Sequence, residues 1–462
     1  MQNYKGHVVV LTYPAQGHIS PLLQFAKRLA NKGLKATLAT TYYTVKSFDA
    51  TTVVGIEPIS DGFDEGGFKQ ATNVQAYLES FRSVGSRTLA ELVQKFNDSA
   101  SPVNCIVYDS LLPWALDVAR QFGIYGAVFL TTSASVCSFF WRIEHGSLAL
   151  PPKQENMPLL LPGLPPLGFS DLPSFIAKPE SQTAYLHVIL EQFSRLNEND
   201  WVFSNSFEEL ESELVEAMLG LWPLMMVGPM VPSAYLDQQI HGDTGYGASF
   251  WTQNSDKCIK WLEKKQPKSV IYLSFGSMAD IVAKQLEEIA WGLKASNKQF
   301  LWVTKESQNK LPIEFVNSLG EEGLLVEWCN QLEVLAHQAV GCFVTHCGWN
   351  STLEGLSLGV PMVSIPQWSD QPTNAKFVEE WRVGVRAKKD GEGIVTREEL
   401  KVCIEEIMVG ENSEEIRRNA NKYRELAKRA VGLGGSSDKN ISQFVMKVIK
   451  DKEKGKSKGQ QA

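Results

Sequence analysis

Short β-branched, apolar runs, each followed by a turn and then by a helical pattern, recur along this chain, and that alternation restricts its fold more than any other feature. His7 to Thr12 is the first such run. The loop PAQGH follows it, and Ser20-Pro21 opens a helical stretch that closes at Asn31-Lys32-Gly33. Ser20 suits an N-cap and Pro21 the first helical position. Leu22, Phe25, Ala26 and Leu29 fall on one helical face, which needs a sheet to pack on. A second run, Cys105 to Tyr108, ends in Asp109 and leads into a helical pattern from Pro113 to Gln121 closed by Gly123. Strands alternating with helices imply a parallel sheet covered on both faces. The pattern lapses from Gly228 to Lys257, a stretch of prolines, glycines and polar residues. It restarts with strands expected at Ser269 to Ser274, Gln299 to Thr304, Leu324 to Glu327, Gly341 to Thr345 and Pro361 to Ile365, and a helix at Lys284 to Ala295.

A chain of 462 residues is long for one domain of roughly 100 to 200 residues. The pattern therefore divides it into an N-terminal α/β domain (1–235), a linker (236–257) and a second α/β domain (258–435). GLGGSSDKN (432–440) reads as a bend before a last helix, 436–450, whose Ile441, Phe444, Val445 and Val448 form an apolar face expected to pack back toward the N-terminal domain. Lysines alternating with Asp, Glu, Gly and Ser make 451–462 a disordered tail. With 44% hydrophobic and 21% charged residues the chain reads as a packed, water-soluble protein. A net charge of -7 argues against nucleic acid as a partner. Seven cysteines without a C-x-x-C pair read as free thiols in a reducing compartment. With no apolar run approaching about 18 residues, the expected location is cytoplasmic, without a membrane span.

The segment from Trp328 to Gln371 carries the most chemistry. GCFVT is a buried-strand run, and HCGWNST turns from its carboxyl end into a helix expected at Ser351 to Leu358. Such a helix N-terminus suits a diphosphate, with His346, Asn350 and Ser351 as side-chain donors. Taken alone, Asn350 or Ser351 reads equally as a simple helix cap. Trp328 ends a strand, where its face can stack on a base, although an isolated Trp there is more often core. Asp370 can accept two hydrogen bonds from vicinal hydroxyls, and Gln371 both donates and accepts.

With its W-x-x-Q opening, its HCGWNS centre, the Glu three residues on and its D-Q close, the segment resembles the signature box of plant family 1 small-molecule UDP-glycosyltransferases. QGH near the N-terminus, YDS at 108–110, SFGS at 274–277 and GGSSDKN extend the resemblance over nearly the whole chain. It is nearest to the group of salicylate, thiohydroximate, steroid and terpenoid glucosyltransferases. The resemblance implies a GT-B fold, two Rossmann-like parallel-sheet domains facing across a cleft. It assigns Trp328 to uracil, Gln331 to ribose, Glu354 to the ribose hydroxyls, Ser277 to the phosphates, and Asp370 with Gln371 to glucose. Cys329, Gly348, Trp349 and Thr131 complete the donor set, and Thr132 stands where close relatives often carry Gln. UDP-glucose is thus expected as a co-substrate, with no cofactor.

Glycosyl transfer to a hydroxyl needs a positioned base, and histidine suits that task near neutral pH. His18 follows the first strand and Asp109 ends another strand of the same sheet, so both lie on one sheet edge. Asp109 can orient one ring nitrogen of His18, as in a triad lacking its serine, and the resemblance assigns these residues the same roles. Opposite-face attack gives an inverted, β-linked product. The absence of D-x-D points to metal-independent transfer, with the helix end and His346 balancing the diphosphate charge. Tyr13, Phe81, Phe139, Phe140, Trp141 and Phe169 are candidates for an apolar acceptor pocket. Arg82 and Arg142 are the only cations near them, which favours neutral steroid, terpenoid or phenolic hydroxyls over a glucose ester on an aromatic carboxylate. A nicotinamide oxidoreductase lacks its G-x-G-x-x-G, and a serine hydrolase its G-x-S-x-G. A non-catalytic UDP-sugar-binding protein would have no need of His18. A monomer is expected.

Overall fold

The computed structural model describes residues 4–48, 53–246, 248, 254–277, 281–305 and 310–459. The chain divides into two compact units. One comprises Met1–Leu164, Phe175–Ala248 and Arg429–Ala462, the other Pro165–Ser174 and Ser249–Lys428.

The first unit is built on a seven-stranded sheet. Its strands are β1 (His7–Leu11), β2 (Lys35–Thr41), β3 (Gly55–Ile59), β4 (Cys105–Asp109), β5 (Tyr125–Leu130), β6 (Trp201–Ser204) and β7 (Leu224–Met226), in the order β3-β2-β1-β4-β5-β6-β7. Every pairing is parallel. β1 and β4 are buried throughout, as their continuous apolar sequences require. The order reverses between them, and their register runs from Val8↔Cys105 to Leu11↔Tyr108, so their carboxyl ends are level. The second unit holds β8 (Val270–Ser274), β9 (Gln299–Val303), β10 (Gly323–Val326), β11 (Val340–Thr345), β12 (Met362–Ser364) and β13 (Gly384–Arg386), in the order β10-β9-β8-β11-β12-β13. This sheet is also wholly parallel and reverses between β8 and β11. The expected fold class, two Rossmann-like parallel-sheet α/β domains, is what the chain contains.

The first helix corrects the reading of Ser20-Pro21 as its start. It spans Gln16–Asn31, with extended Ala15 as N-cap and Pro21 inside it. The His18 and Ile19 N–H groups both donate to the Ala15 carbonyl at 2.9 Å, and the Gln16 side chain donates to Ser20 Oγ at 2.9 Å. A serine-proline pair is a start signal by local propensity, but here the hydrogen bonds begin one turn earlier. His18 therefore stands in the first helical turn, not in a loop.

The sequence reading of 236–257 as a linker meets a segment whose first part is fastened to the first unit. Lys27 Nζ donates to Asp243 Oδ1 at 2.5 Å and Arg28 Nη1 to Asp237 Oδ2 at 2.9 Å. Residues 247 and 249–253 of that stretch lie outside the described residues. The last helix spans Ser436–Gly459, so its backbone continues through most of the segment read as a tail; 460–462 lie outside the described residues. Its Ile441, Phe444, Val445 and Val448 enter the first unit's core beside Val8, Phe25 and Phe203. The Phe444 ring meets Trp201 and Phe203 with centroids 4.9 and 5.1 Å away. Among the described residues no helix is long and apolar enough to cross a membrane.

Phe444→Ala removes a fully enclosed aromatic ring and should destabilise the first unit by about 3–5 kcal/mol. Denaturant unfolding followed by tryptophan fluorescence checks this, and a variant as stable as the parent contradicts the docking of the last helix.

Candidate active site

In an open parallel sheet the loops at the carboxyl ends diverge where the strand order reverses, which leaves room for a ligand. In the first unit that point lies after β1 and β4. The chain leaving β1 reaches His18 within one helical turn, and β4 ends in Asp109. His18 Nδ1 lies 2.7 Å from Asp109 Oδ2. Asp109 is fully buried, and its Oδ1 accepts the Leu111 N–H at 2.9 Å, while the His18 side chain keeps 20% of its surface exposed. A buried carboxylate facing Nδ1 selects the tautomer that carries its proton there, which leaves Nε2 as the acceptor. Thr131, the residue after β5, places its Oγ1 3.4 Å from the same Nδ1. The ring of Tyr13 stands edge-on to His18 at 5.3 Å, and its hydroxyl lies 3.2 Å from that of Tyr185. Burial raises the pKa of Tyr13 and keeps the phenol neutral.

The other aromatic candidates scatter. Phe81 packs on Tyr77 and Trp114, and it and Phe139 have no exposed surface, so both serve as core. Phe140 packs against Phe193 and Trp141 stacks on His145. Phe169 belongs to the short segment assigned to the second unit. Spacing alone does not distinguish an aromatic that faces a sheet from one that faces a pocket.

The second unit repeats the geometry with different chemistry. β8 leads into the turn Phe275-Gly276-Ser277, and β11 into His346 and the helix Trp349–Leu358. Gly348 is the N-cap of that helix and has no side chain of its own to cap it. Asn350 and Ser351 therefore lie inside the first turn and are not its caps. A helix N-terminus carries backbone N–H groups and a positive dipole end, both suited to an anion. Ser351 instead joins a cluster: Gln331 Nε2 donates to Ser351 Oγ at 3.1 Å and to Glu354 Oε2 at 2.6 Å, and the Tyr272 hydroxyl donates to Gln331 Oε1 at 3.2 Å. Trp328, half-buried, is anchored by its carbonyl, which accepts the Asn254 N–H at 3.0 Å. Cys329 is buried next to it.

His346 is wedged between two glycines. A Cβ on Gly276, which has φ +68°, would lie 2.7 Å from its ring, and one on Gly348 would lie 2.6 Å from Nε2. The ring is partly enclosed, and its Nδ1 is buried without a hydrogen-bond partner among the described residues. Burial, followed by the nearby Lys305 ammonium, lowers its pKa to about 4. With no anion beside it, the His346 ring is therefore uncharged at neutral pH, held so by burial and by Lys305.

Lys305, two residues past β9, was missed by the sequence reading. Its Nζ donates to the Ser277 carbonyl at 2.7 Å, so it pins the turn that carries Ser277. A lone Lys at a strand end gives no sequence signal for this. Asn374 was missed too. Its Nδ2 donates to the Cys347 carbonyl at 2.9 Å and to Asp370 Oδ2 at 2.8 Å, tying the turn before the helix to the Asp370-Gln371 pair. Cys347 itself has φ +59°, a left-handed backbone state that tends to occur at functional sites.

Removing the Lys305 charge with Lys305→Gln should raise the pKa of His346 above its value of about 4, because a neighbouring cation disfavours imidazolium. A histidine ring titration by NMR reads this directly, and an unchanged or lower value contradicts the electrostatic coupling.

A family model for UDP-glucoronosyl and UDP-glucosyl transferase matches residues 195–425. UDP-glycosyltransferase 74B1 of Arabidopsis thaliana is 49% identical over 453 residues, covering 96% of this chain and 97% of that protein. Flavonol 7-O-beta-glucosyltransferase UGT74F1 of the same plant is 44% identical over 457 residues, covering 97% and 99%. The crystal structure of Os79 from O. sativa in complex with UDP is 40% identical, with a TM-score of 0.91, covering 96% of this chain and 100% of that one. A second structure of Os79, with a trichothecene, gives a TM-score of 0.88 at the same identity and coverage. Likeness at this level over nearly the full length, together with two parallel-sheet units of the GT-B class, makes this chain a glycosyltransferase of the UDP-glycosyltransferase family.

Proposed function

We propose that the chain transfers glucose from UDP-glucose to a hydroxyl of a small apolar acceptor, a steroid, terpenoid or phenolic, giving a β-O-glucoside with inversion. The observation that carries this reading is the His18–Asp109 pair, with Nδ1 facing a buried carboxylate at 2.7 Å and Nε2 left to take a proton. As the acceptor oxygen bonds to the anomeric carbon, its proton passes to Nε2 and the bond from that carbon to the UDP oxygen breaks. Asp109 stabilises the imidazolium so formed. UDP departs with the negative charge, which the helix N-terminus at Trp349 and the Lys305 ammonium offset without a metal.

Trp328 serves uracil, Gln331 and Glu354 the ribose, Ser277, His346, Asn350 and Ser351 the phosphates, and Asp370 with Gln371 the glucose. Gln371 Oε1 already accepts the Gln367 and Trp368 N–H groups at 2.9 and 3.2 Å, which turns its amide nitrogen toward donation. The neutral-hydroxyl reading draws support from the two cations near the candidate aromatics, since both are engaged. Arg82 pairs with Glu191, and Arg142 donates to the Pro162 carbonyl at 3.0 Å while burial lowers its pKa. The flavonol 7-O-β activity in a relative's name supports a phenolic hydroxyl and a β-linkage, and the trichothecene held by Os79 supports a small organic acceptor. All seven cysteines are buried, which suits thiols in a reducing cytosol.

His18→Ala should lower the transfer rate by about 10² to 10⁴ while leaving the UDP Kd within about twofold, because the base and the UDP-binding residues lie on different sheets. Asp109→Asn should lower kcat with little change in UDP affinity. Turnover kinetics beside calorimetric UDP titration checks both, and parental turnover by His18→Ala would sink the assignment.

A further inference from the structure

Residues Pro165–Ser174 belong to the second unit, although the segments on both sides of them belong to the first. Their attachment is specific. The Ser174 N–H donates to the Ser369 carbonyl at 2.8 Å, and the Ser369 N–H donates back to Ser174 Oγ at 2.7 Å. The Thr373 hydroxyl donates to the Asp171 carbonyl at 2.6 Å. Arg386, the last residue of β13, donates Nη1 to Asp171 Oδ1 at 2.6 Å and Nη2 to the Ser170 carbonyl at 2.9 Å. The second Asp171 oxygen accepts the Gly168 N–H at 2.8 Å, so one half-buried carboxylate closes the segment's own turn and holds the guanidinium.

These bonds converge on the backbone that carries Asp370 and Gln371. Ser369 has φ +60°, a left-handed state that a residue with a Cβ avoids unless its surroundings hold it there. Ser174 provides that hold by bonding both the N–H and the carbonyl of Ser369. Thr373, bonded to Asp171, sits in the first turn of the helix Gln371–Glu380, on the far side of the pair. The segment thus brackets Asp370-Gln371 before and after.

We propose that Gly168–Ser174 is a positioning strap for the hexose of the nucleotide sugar. It fixes the directions of Asp370 and Gln371, and the Asp171–Arg386 ion pair is its pin. This rests on the reading of Asp370 and Gln371 as the sugar-holding pair. UDP lacks the sugar, so loosening the strap should weaken UDP-glucose selectively. It should also erode the preference for UDP-glucose over its C4 epimer UDP-galactose, because that preference depends on where two side chains point.

The test compares Asp171→Asn, Arg386→Met, Arg386→Lys and the milder Ser174→Ala with the parent in the full-length enzyme. Affinity for UDP and for UDP-glucose without acceptor is measured by calorimetry, and kcat and KM with each of the two sugar donors. Asp171→Asn and Arg386→Met should raise KM for UDP-glucose about tenfold, the scale of one lost charge-assisted hydrogen bond, while UDP Kd stays within about twofold. The glucose-to-galactose ratio should fall in both, Arg386→Lys should recover part of it, and Ser174→Ala should shift it in the same direction by less. Asp370→Ala separates the two levels of the argument. If it weakens UDP-glucose but not UDP while the strap variants match the parent, the strap is refuted and the sugar-holding pair stands. If it leaves UDP-glucose binding unchanged, the pair and the strap both fall. Equal losses of UDP and UDP-glucose in the strap variants mean a general structural role and overturn the proposal.

Discussion

Each parallel sheet reverses its strand order once, and those two reversals gather the residues on which the proposed chemistry rests. Parallel strands deliver all their carboxyl ends to one edge, and only at a reversal do the outgoing connections part and leave backbone and side chains open to a ligand. At the first reversal the two strand ends deliver His18 and Asp109, whose residue types suit proton transfer. At the second, strand ends deliver Ser277 and His346, with a helix N-terminus close behind, suited to an anion. The buried strands that create the edges are the same valine- and isoleucine-rich runs that make the sheets fold.

Electrostatics separates the two edges further. At the first edge the Asp109 carboxylate stands behind His18 Nδ1 at 2.7 Å and fixes the direction of the ring. Lys305 acts at the second edge, where it and burial keep His346 neutral. A neutral ring between two glycine backbones can hydrogen-bond a phosphoryl oxygen without holding it as tightly as a fixed charge would. That suits a group that must leave as UDP.

Strands and the general fold were legible because buried strands announce themselves as continuous apolar runs. Seven expected strands agree with the observed ones within one or two residues, among them β1, β4 and β11. Ser20-Pro21 misled because a local start signal was overridden by hydrogen bonds set one turn earlier, at Ala15. Gln331 and Glu354 could be grouped in advance because the resemblance assigns both to the ribose, and they are bonded at 2.6 Å; Ser351, read with the phosphates, joins the same cluster. Lys305, Asn374 and the strap of Gly168–Ser174 were not legible. Each acts through a backbone carbonyl or amide far away in sequence, as Asp171 does on Thr373 and Arg386, and such partners leave no periodic trace. The aromatic candidates were the weakest reading, since a Phe at a helical position packs inward whether or not a pocket lies nearby. Phe81 and Phe139 show that outcome.

The central claim is that an oriented histidine in one unit directs a small neutral hydroxyl onto glucose held as UDP-glucose, without a metal. Its most direct test is mass and NMR analysis of the products formed when purified protein, UDP-glucose and excess EDTA are incubated with steroid, terpenoid, phenolic and aromatic carboxylate acceptors. The account predicts a gain of one hexose on a neutral hydroxyl acceptor, a β-anomeric signal, stability to mild base and matching release of UDP. An α-anomeric product, transfer abolished by EDTA, or only base-labile esters of the carboxylates would contradict it.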